Sequence, residues 1–295
     1  MADLFSTITS GFTGGFITSL SITDQAVRLV RFRGSGENLI FDTYRELPLE
    51  ASVYEADRLV QNEELAAALR FLDKNLISDQ LAIAIPNVEE QNIYKKIFQG
   101  VGIKTKKIVA LAEAESLAVI EIGETDVVVL VSSYGYYVEL SIMRSGRVLS
   151  RMIVPIGTEA VIGSLARSLG VGRSAASDLV YAVGLSSREL DQTILYNLIP
   201  VASAWADAIR QMLVVWADRQ KDEGYSEKLI ERVVVCGDAA RIPGLMGYLA
   251  GRVDLPVTAG NPWVNLERAT QEVPSLLYDN SLSFAGAIGA VLLAR

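Results

Sequence analysis

The chain of 295 residues carries a net charge of −8, contains one cysteine and lacks histidine. Histidine-based catalytic triads, thiol–imidazole pairs and the usual zinc sites are therefore excluded, and the acidic balance argues against nucleic-acid binding. Half of the residues are apolar, so the length predicts two domains of ordinary size or one domain with a deep cleft.

The N-terminal region, the apolar runs and the basic residues indicate where in the cell the protein is expected. Residues 1–16 are mostly small and include several glycines, which predicts a mobile N-terminal arm. The first positive charge is Arg28, so neither the basic region of a signal peptide nor a polybasic anchor precedes it. No continuous apolar run reaches the roughly 18 residues needed to cross a bilayer, and we expect a cytoplasmic protein. The basic run Lys104–Lys107 is interpreted as a solvated turn.

The first part of the chain alternates strands and helices in the manner of an α/β domain. Strands are expected at 17–23, 26–33, 38–47, 81–86 and 107–110. Helices are expected to start at Asn62 and to cover 91–100 and 112–120. The run Gly34–Gly36 predicts the turn between the second and third strands.

The second part repeats this order. Strands are expected at 127–132, 136–143, 147–155, 232–236 and 256–258. Helices are expected from Gly157 onward, at 174–181, at 190–219 and between the last two strands as far as Gly251. Pro200 is expected to break or kink the longest of them. The apolar run Leu282 to Ala294 predicts a buried closing helix.

The two parts look like copies of one unit. At an offset of 111 positions Ser21 aligns with Ser132, Val27 with Val138, Leu29 with Leu140 and Arg33 with Arg144. A domain-sized internal repeat of this kind predicts a two-lobed protein that holds a ligand between two hairpin turns. We expect lobe I to comprise 17–122 with 281–295, and lobe II to comprise 123–280.

Several short runs then identify a resemblance. They are Val154-Pro155-Ile156-Gly157, Leu165-Ala166-Arg167-Ser168-Leu169-Gly170, Ile242-Pro243-Gly244-Leu245, Asn261-Pro262-Trp263 and Ser283-Phe284-Ala285-Gly286. The chain resembles the actin-like ATPases, which are related to FtsA, and within them the PilM family of type IV pilus assembly scaffolds. The resemblance implies a two-lobed α/β fold of the duplicated ribonuclease H-like type. It covers nearly the whole chain.

The turns that hold phosphate in that family are altered here. The family's turns read Asp-Ile-Gly-Ser-Ser-Ser and Asp-Ile-Gly-Ala-Ser, whereas this chain has Ser21 and Ser132 at the aspartate positions. Three tyrosines, at 134, 136 and 137, crowd the second turn. We therefore expect no catalytic residues, no metal and no cofactor, with ATP and magnesium disfavoured. The vestigial cleft would be formed by Ser21, Thr23, Asp24, Gln25, Ser132, Ser133, Gly135, Gly237 and Asp238.

A non-catalytic scaffold is the first interpretation, and two alternatives stay open. One is an ATPase or kinase with a rearranged site built from Asp24, Asp238 or Glu115, and the other is an FtsA-like filament-forming protein. The subdomain that the family inserts in lobe I is missing, because only five residues separate Pro86 from Asn92.

The resemblance also implies a partner. It would be the cytoplasmic segment of a PilN-like inner-membrane protein, so the chain would lie at the inner face of the membrane. Its docking surface is expected at the sheet edge beside 38–47 or on helix 91–100, through Tyr94 and Phe98. Assembly into a homo-oligomer is left open, and no nucleic acid is expected.

Overall fold

The structure, a computed structural model, describes most of the chain. The described residues are 15–35, 38–49, 54–55, 57–72, 74–77, 81–185, 192–222, 229–266 and 274–294. Two predictions concern residues that are not among these. Residues 1–14 of the expected N-terminal arm, and Gly36 of the expected turn, lie outside the described residues.

Lobe I is built on a five-stranded mixed sheet in the order β3-β2-β1-β6-β7. Its strands are β1 (Phe16–Ile22), β2 (Ala26–Ser35), β3 (Asn38–Pro48), β6 (Leu81–Ile85) and β7 (Lys107–Ala110), and a separate two-stranded ribbon is formed by β4 (Tyr54–Glu55) and β5 (Arg58–Leu59). Its helices are α1 (Asn62–Arg70), α2 (Gln91–Gly100) and α3 (Leu111–Val119), with short 3-10 turns at Lys74–Leu76 and Val88–Glu90.

Lobe II has a second five-stranded sheet with the equivalent order β10-β9-β8-β11-β12. Its strands are β8 (Val127–Ser133), β9 (Val138–Arg144), β10 (Arg147–Val154), β11 (Ile230–Gly237) and β12 (Val257–Ala259). Its helices are α4 (Thr158–Leu169), α5 (Arg173–Val183), α6 (Gln192–Asp222) and α7 (Leu245–Val253), with a 3-10 turn at Asp238–Arg241. The chain closes with α8 (Tyr278–Ser281), a 3-10 turn at Leu282–Phe284 and α9 (Ala285–Ala294).

The predicted duplication is confirmed down to the pairing of the strands. Ser21 lies opposite Arg28 in the β1–β2 hairpin, and 111 positions later Ser132 lies opposite Glu139 in the β8–β9 hairpin. Both serines occupy the next-to-last position of their strands. The turns match as well, because the Thr23 N–H donates to Ala26 and the Tyr134 N–H to Tyr137, each over 3.0 Å. The two turns are called turn 1 (Thr23–Ala26) and turn 2 (Tyr134–Tyr137).

Helices α1 and α2 cover the outer face of the lobe I sheet. Leu65 and Leu69 of α1 pack with Tyr94 and Phe98 of α2 in one apolar cluster with the sheet residues Leu20, Ile22, Leu29, Leu81 and Ile83. The prediction that Tyr94 and Phe98 bind a partner is wrong, because both side chains are fully buried. The solvent-facing side of α2 carries Asn92, Ile93, Lys95, Lys96 and Gln99 instead.

Helix α6 forms the core of lobe II. Trp205, Ile209 and Leu198 are buried along one side of it, and the Trp205 indole N–H donates to the Ile156 carbonyl over 2.7 Å. Of the expected break or kink at Pro200, a break does not occur, since the helix continues through this residue. By length and composition alone α6 could span a membrane, with a mean hydropathy of 1.3 over its most apolar window. Its buried side packs as a core helix does, and core helices meet the same two criteria.

No subdomain is inserted between β6 and α2, as predicted. The connection within the fully described stretch 81–185 consists of the 3-10 turn Val88–Glu90, which the Asn87 side chain caps by accepting from the Glu89 N–H. The outward-facing side chains of α2 are therefore exposed to solvent.

Helices α3 and α9 cross between the lobes at close range. A Cβ atom on Gly289 would overlap the Ala114 carbonyl, and one on Gly286 would overlap Leu111 Cδ1. The two helices can therefore approach to backbone contact only because α9 has glycine at both positions. Helix α9 also reaches β1, where the Ser19 hydroxyl donates to the Ala287 carbonyl over 2.5 Å.

The substitution Gly289→Ala tests this crossing. It forces a methyl group into a backbone atom that cannot move aside, so we expect the free energy of unfolding to fall by about 3 kcal/mol or more. Gly247→Ala is the matched control, because nothing lies within 4 Å of its added Cβ in helix α7. That control should be neutral or stabilising by up to about 1 kcal/mol, since alanine favours helix. Urea unfolding of both variants measures the difference, and equal stabilities would contradict the crossing.

Candidate functional site

Turn 1 and turn 2 face each other where the lobes meet, and Asp24 joins them. Its carboxylate accepts two backbone N–H bonds from turn 2, from Gly135 over 3.0 Å and from Tyr136 over 2.6 Å. Asp24 and Gly135 are equivalent positions of the duplicated hairpin, so each lobe contributes the same part of its unit to one contact. Paired N–H groups on a tight turn are suited to bind an anion, and here a side chain of the chain itself is that anion.

Glycines allow this close approach. A Cβ atom on Gly135 would lie 2.6 Å from Gln25 Cγ, so the Gln25 side chain lies directly over turn 2. On the other side of turn 2, a Cβ atom on Gly157 would overlap the Gly135 carbonyl. The Thr23 hydroxyl supports turn 1 by accepting from the Ala26 N–H over 3.2 Å. Turn 1 and turn 2 are thus in close contact at Gln25 and Gly135.

Two tyrosines fill the interior behind turn 2. Tyr134 and Tyr137 are buried with their ring centroids 4.8 Å apart, and the Tyr134 hydroxyl donates to Glu115 Oε2 over 3.0 Å. Burial raises the pKa of both phenols well above its ordinary value, so they stay protonated. The third tyrosine differs from the sequence expectation, because the Tyr136 side chain is partly exposed and only its backbone enters the site.

The remaining predicted cleft residues line the same region. Ser133 Oγ donates to the Cys236 carbonyl over 3.0 Å and accepts from the Ala239 N–H over 2.6 Å, which ties β8 to the loop after β11. Asp238 is buried in that loop and accepts from the Ser283 hydroxyl. Gly237 has a φ of 78° and no room for a Cβ atom beside the Ser133 carbonyl. The structure therefore brings together all nine residues that the sequence placed in the cleft.

Two carboxyl groups near the turns have raised pKa values. Burial raises the pKa of Asp24 to about 6, against the lowering effect of the Tyr136 and Gly135 N–H bonds. Burial likewise raises the pKa of Glu115 to about 7, although hydrogen bonds from Ser132 and Tyr134 lower it in part. Such shifts are typical of functional sites but also of buried structural carboxyls, so the space that these groups face decides between the two.

That space is very small. Between the turns lies a cavity of about 10 Å³, lined by Ser21, Thr23, Arg28, Glu115, Ser133, Tyr134, Gly237, Asp238 and Ser283. Its volume is about that of a single water probe. Ser21 Oγ and Arg28 Nε are buried there without a hydrogen-bond partner among the described residues, although Arg28 Nε lies 3.4 Å from Glu46 Oε2.

These residues do not fit a nucleoside triphosphate with magnesium. The N–H groups of turn 2 already bind Asp24, the cavity is far smaller than a triphosphate, and Tyr134 occupies the position of a phosphate-turn glycine. Within the described part of the chain, no three His, Cys, Asp or Glu side chains converge in a way that could hold a metal ion.

A second connection between the lobes was missed by sequence reasoning. Arg151 on β10 binds both oxygens of the buried Glu139, at 2.7 and 2.9 Å. The same guanidinium reaches across to lobe I, to Asp57 Oδ2 over 3.0 Å and to the Pro86 carbonyl over 3.3 Å. Glu139 was a detectable signal, since it is the one charged residue within the otherwise uncharged run Val138–Met143.

A further cavity, of about 710 Å³, lies away from the turns. It opens at the start of β8 and β11, where Arg232 binds Glu124 over 2.5 and 2.9 Å and approaches Asp126 over 3.9 Å. Asp126 lies directly before β8, at the opposite end of that strand from Ser132. The lining of this cavity carries the carboxylates of Glu121, Glu124 and Asp126 and one guanidinium, that of Arg232, and none of the predicted site residues lines it.

Comparisons with known proteins place the fold. No protein-family model and no protein of curated function matches the chain. A solved structure described as the PilM-PilN type IV pilus biogenesis complex matches with a TM-score of 0.72, at 14% identity, covering 94% of this chain and 98% of that one. The ethanolamine utilization protein EutJ from Carboxydothermus hydrogenoformans matches with a TM-score of 0.63, at 16% identity, over 94% and 89% of the two chains.

A third match extends the set. MreB5 of Spiroplasma citri, in a structure bound to AMPPNP, matches with a TM-score of 0.62, at 13% identity, over 86% of this chain and 93% of that one. The fold is that of the actin-like ATPases. The two-lobed α/β architecture that the sequence predicted is confirmed, and the structure is PilM-like in its overall shape.

The pH dependence of stability tests the buried Glu115. Its pKa rises from 4.5 to about 7 on folding, so the stabilisation is present below about pH 4.5 and is lost as the pH rises through about 7. At pH 8 the loss is about 3 kcal/mol. Glu115→Gln should therefore be more stable than the wild type at pH 8 by up to about this amount, and little changed at pH 5.

Glu113→Gln on the same helix is the control, because Glu113 is only partly buried. It should follow the wild-type dependence on pH in thermal unfolding. A pH dependence that is the same for wild type and Glu115→Gln would mean that Glu115 does not titrate in this range.

Proposed function

We propose that this protein is a non-catalytic cytoplasmic scaffold of a type IV pilus or related secretion machine. It binds the cytoplasmic segment of a PilN-like inner-membrane protein and lies at the inner face of the membrane through that partner. The proposal that the scaffold is non-catalytic rests on one observation: the Asp24 carboxylate accepts hydrogen bonds from the N–H groups of Gly135 and Tyr136. The likeness to the PilM-PilN complex supports the choice of partner.

The absence of hydrolysis follows from what an actin-like ATPase needs. Phosphate must reach the N–H groups of both turns, and an acid must organise magnesium and water. Here Ser21 and Ser132 stand at the family's aspartate positions, and Asp24 takes up the N–H groups. We therefore propose that the lobes stay together without nucleotide and that no step of the protein's cycle depends on ATP.

The enzyme alternative finds less support. A rearranged site would use Asp24, Asp238 or Glu115, and all three do lie near the turns. Glu115 and Asp238 face a cavity of about 10 Å³, and Asp24 is buried against turn 2. Tyr134 of turn 2 also binds Glu115, and Ser283 binds Asp238. No substrate larger than a water molecule would contact them in this arrangement.

The edge of the lobe I sheet is the proposed docking place for the partner segment. Strand β3 pairs only with β2 among the described strands. The Leu49 N–H donates to the Gln25 carbonyl, so in the regular part of this ladder the backbone groups of Leu47 and Arg45 face β2. Those of Tyr44 and Glu46 therefore face outward, and an extended peptide could add to them as a further strand.

This edge carries its own protection. The Arg45 guanidinium folds back and donates to the outward-facing Tyr44 carbonyl over 2.7 Å. Covering an edge with a charged side chain is a common way to prevent unwanted strand pairing. A partner strand would have to displace Arg45 from this carbonyl.

Thermal unfolding with and without millimolar Mg-ATP tests the nucleotide proposal. A ligand present at 100 times its Kd stabilises the native state by about 2.7 kcal/mol, which raises the Tm by a few degrees for a chain of this size. We expect no increase. A clear increase with ATP that Asp24→Ala or Asp238→Ala abolishes would favour the enzyme alternative.

Capture from native membranes tests the partner proposal. The tagged protein should recover a membrane-anchored pilus or secretion component equally well with and without ATP. Recovery of soluble metabolic enzymes alone, or capture that requires ATP, would contradict the scaffold.

The Arg45→Ala variant then locates the interface. Freeing the Tyr44 carbonyl removes a competing hydrogen bond worth about 1 kcal/mol, so the captured partner's cytoplasmic peptide should bind about fivefold more tightly. Arg58→Ala, at an exposed arginine of β5, should leave the affinity unchanged. Equal affinities for wild type and Arg45→Ala would place the interface away from this part of β3.

A further inference from the structure

Lysine is unevenly distributed along this chain. Only eight of its 27 basic residues are lysines, and five of those eight lie between positions 95 and 107. Residues 91–112 contain these five lysines and no Asp, Glu or Arg. This short stretch therefore carries a charge of +5 in a protein whose net charge is −8. Such a concentration of one sign is unexpected for a structural surface.

The fold places the five lysines on one end of lobe I. Lys95 and Lys96 lie on the solvent side of α2, and the chain turns back directly after this helix, where the Ile103 N–H donates to the Phe98 carbonyl over 2.8 Å. Lys104, Lys106 and Lys107 follow and are exposed, the last of them at the start of the edge strand β7. We call Lys95, Lys96, Lys104, Lys106 and Lys107 the lysine surface.

Among the described residues, Lys95, Lys96 and Lys104 of the lysine surface form no ion pair, and its other two lysines contact helix α9. Lys106 and Lys107 direct their ammonium groups to the last carbonyls of α9, over 3.5 Å to Ala294 and 3.3 Å to Leu293. Those contacts hold the loop against the closing helix. The ion pairs found between described residues all use arginine, and within this part of the chain Lys95, Lys96 and Lys104 have no carboxylate within 4.0 Å.

We propose that the lysine surface docks on an anionic lipid membrane, so that lobe I contacts the bilayer directly. Lysine ammonium groups are non-directional point charges, which suit a diffuse layer of headgroups, whereas arginine suits bidentate recognition of single carboxylates. The rest of the chain carries a charge of −13 and would repel a long polyanion that wraps around it. A flat bilayer meets one face only, and charges more than about 10 Å away are screened.

The inference goes beyond the proposed scaffold and does not depend on its protein partner. Each lysine near an anionic surface contributes about 1 kcal/mol, so the lysine surface supports reversible binding rather than permanent anchoring. Contact at the β7 side of the lobe I sheet would orient the molecule on the bilayer, with β3 at the opposite edge of the same sheet.

Vesicle co-sedimentation of the full chain tests the proposal. At about 0.1 M salt, the wild type should bind phosphatidylcholine vesicles with about one-third phosphatidylglycerol, and not pure phosphatidylcholine. The triple variant Lys95→Gln, Lys96→Gln, Lys104→Gln should bind about 100-fold more weakly, from three lost charges at about 1 kcal/mol each. Raising the salt to about 0.5 M should remove the wild-type binding.

The control variant carries the same change of charge on lobe II. Arg144→Gln, Arg147→Gln and Arg167→Gln replace three exposed arginines and should leave binding close to that of the wild type. Equal loss in both triple variants, equal binding to neutral vesicles, or no binding of the wild type would overturn the proposal. Lysine-dependent binding to soluble polyglutamate without binding to vesicles would also overturn it and would assign the surface to an acidic protein.

Discussion

The contact between the Asp24 carboxylate and the N–H groups of Gly135 and Tyr136 determines how the two lobes are held. Turn 2 needs an acceptor at this position, because buried N–H groups without a partner cost about 1 to 3 kcal/mol each. In an actin-like ATPase that works with nucleotide, a phosphate can supply the acceptor. In this chain the Asp24 carboxylate, on the equivalent turn of the other lobe, supplies it.

Other features of the interface follow from this closure. Once the turns are in contact, Glu115 and Glu139 lie in a region from which water is excluded, and each needs a partner there. Tyr134 donates to Glu115, and Arg151 binds Glu139 and continues to Asp57 of lobe I. Behind the turns, the glycines of α9 let it cross α3 at backbone distance. The interface therefore resembles a protein core in its packing.

Much of the fold could be predicted from the sequence, because the second hairpin repeats the residue pattern of the first at a constant offset of 111 positions. The pairing of Ser21 and Ser132 at equivalent strand ends follows from that repeat alone. The face of α2 was misjudged, since apolar spacing identifies a stripe but does not say whether a sheet covers it, and Tyr94 and Phe98 lie beneath that cover. The partner of Asp24 could not be predicted, because the contact joins residues 111 positions apart through their relative placement in space.

Backbone amide exchange at Gly135 and Tyr136, followed by NMR without nucleotide, tests the central claim most directly. The account predicts slow exchange at both amides in the wild type and exchange faster by about tenfold or more in Asp24→Ala, since each 1.4 kcal/mol is a factor of about ten. The Tyr134 amide, which donates to the Tyr137 carbonyl within turn 2, should stay slow in both proteins. Fast exchange at Gly135 and Tyr136 in the wild type, or protection that appears only with ATP, would contradict it.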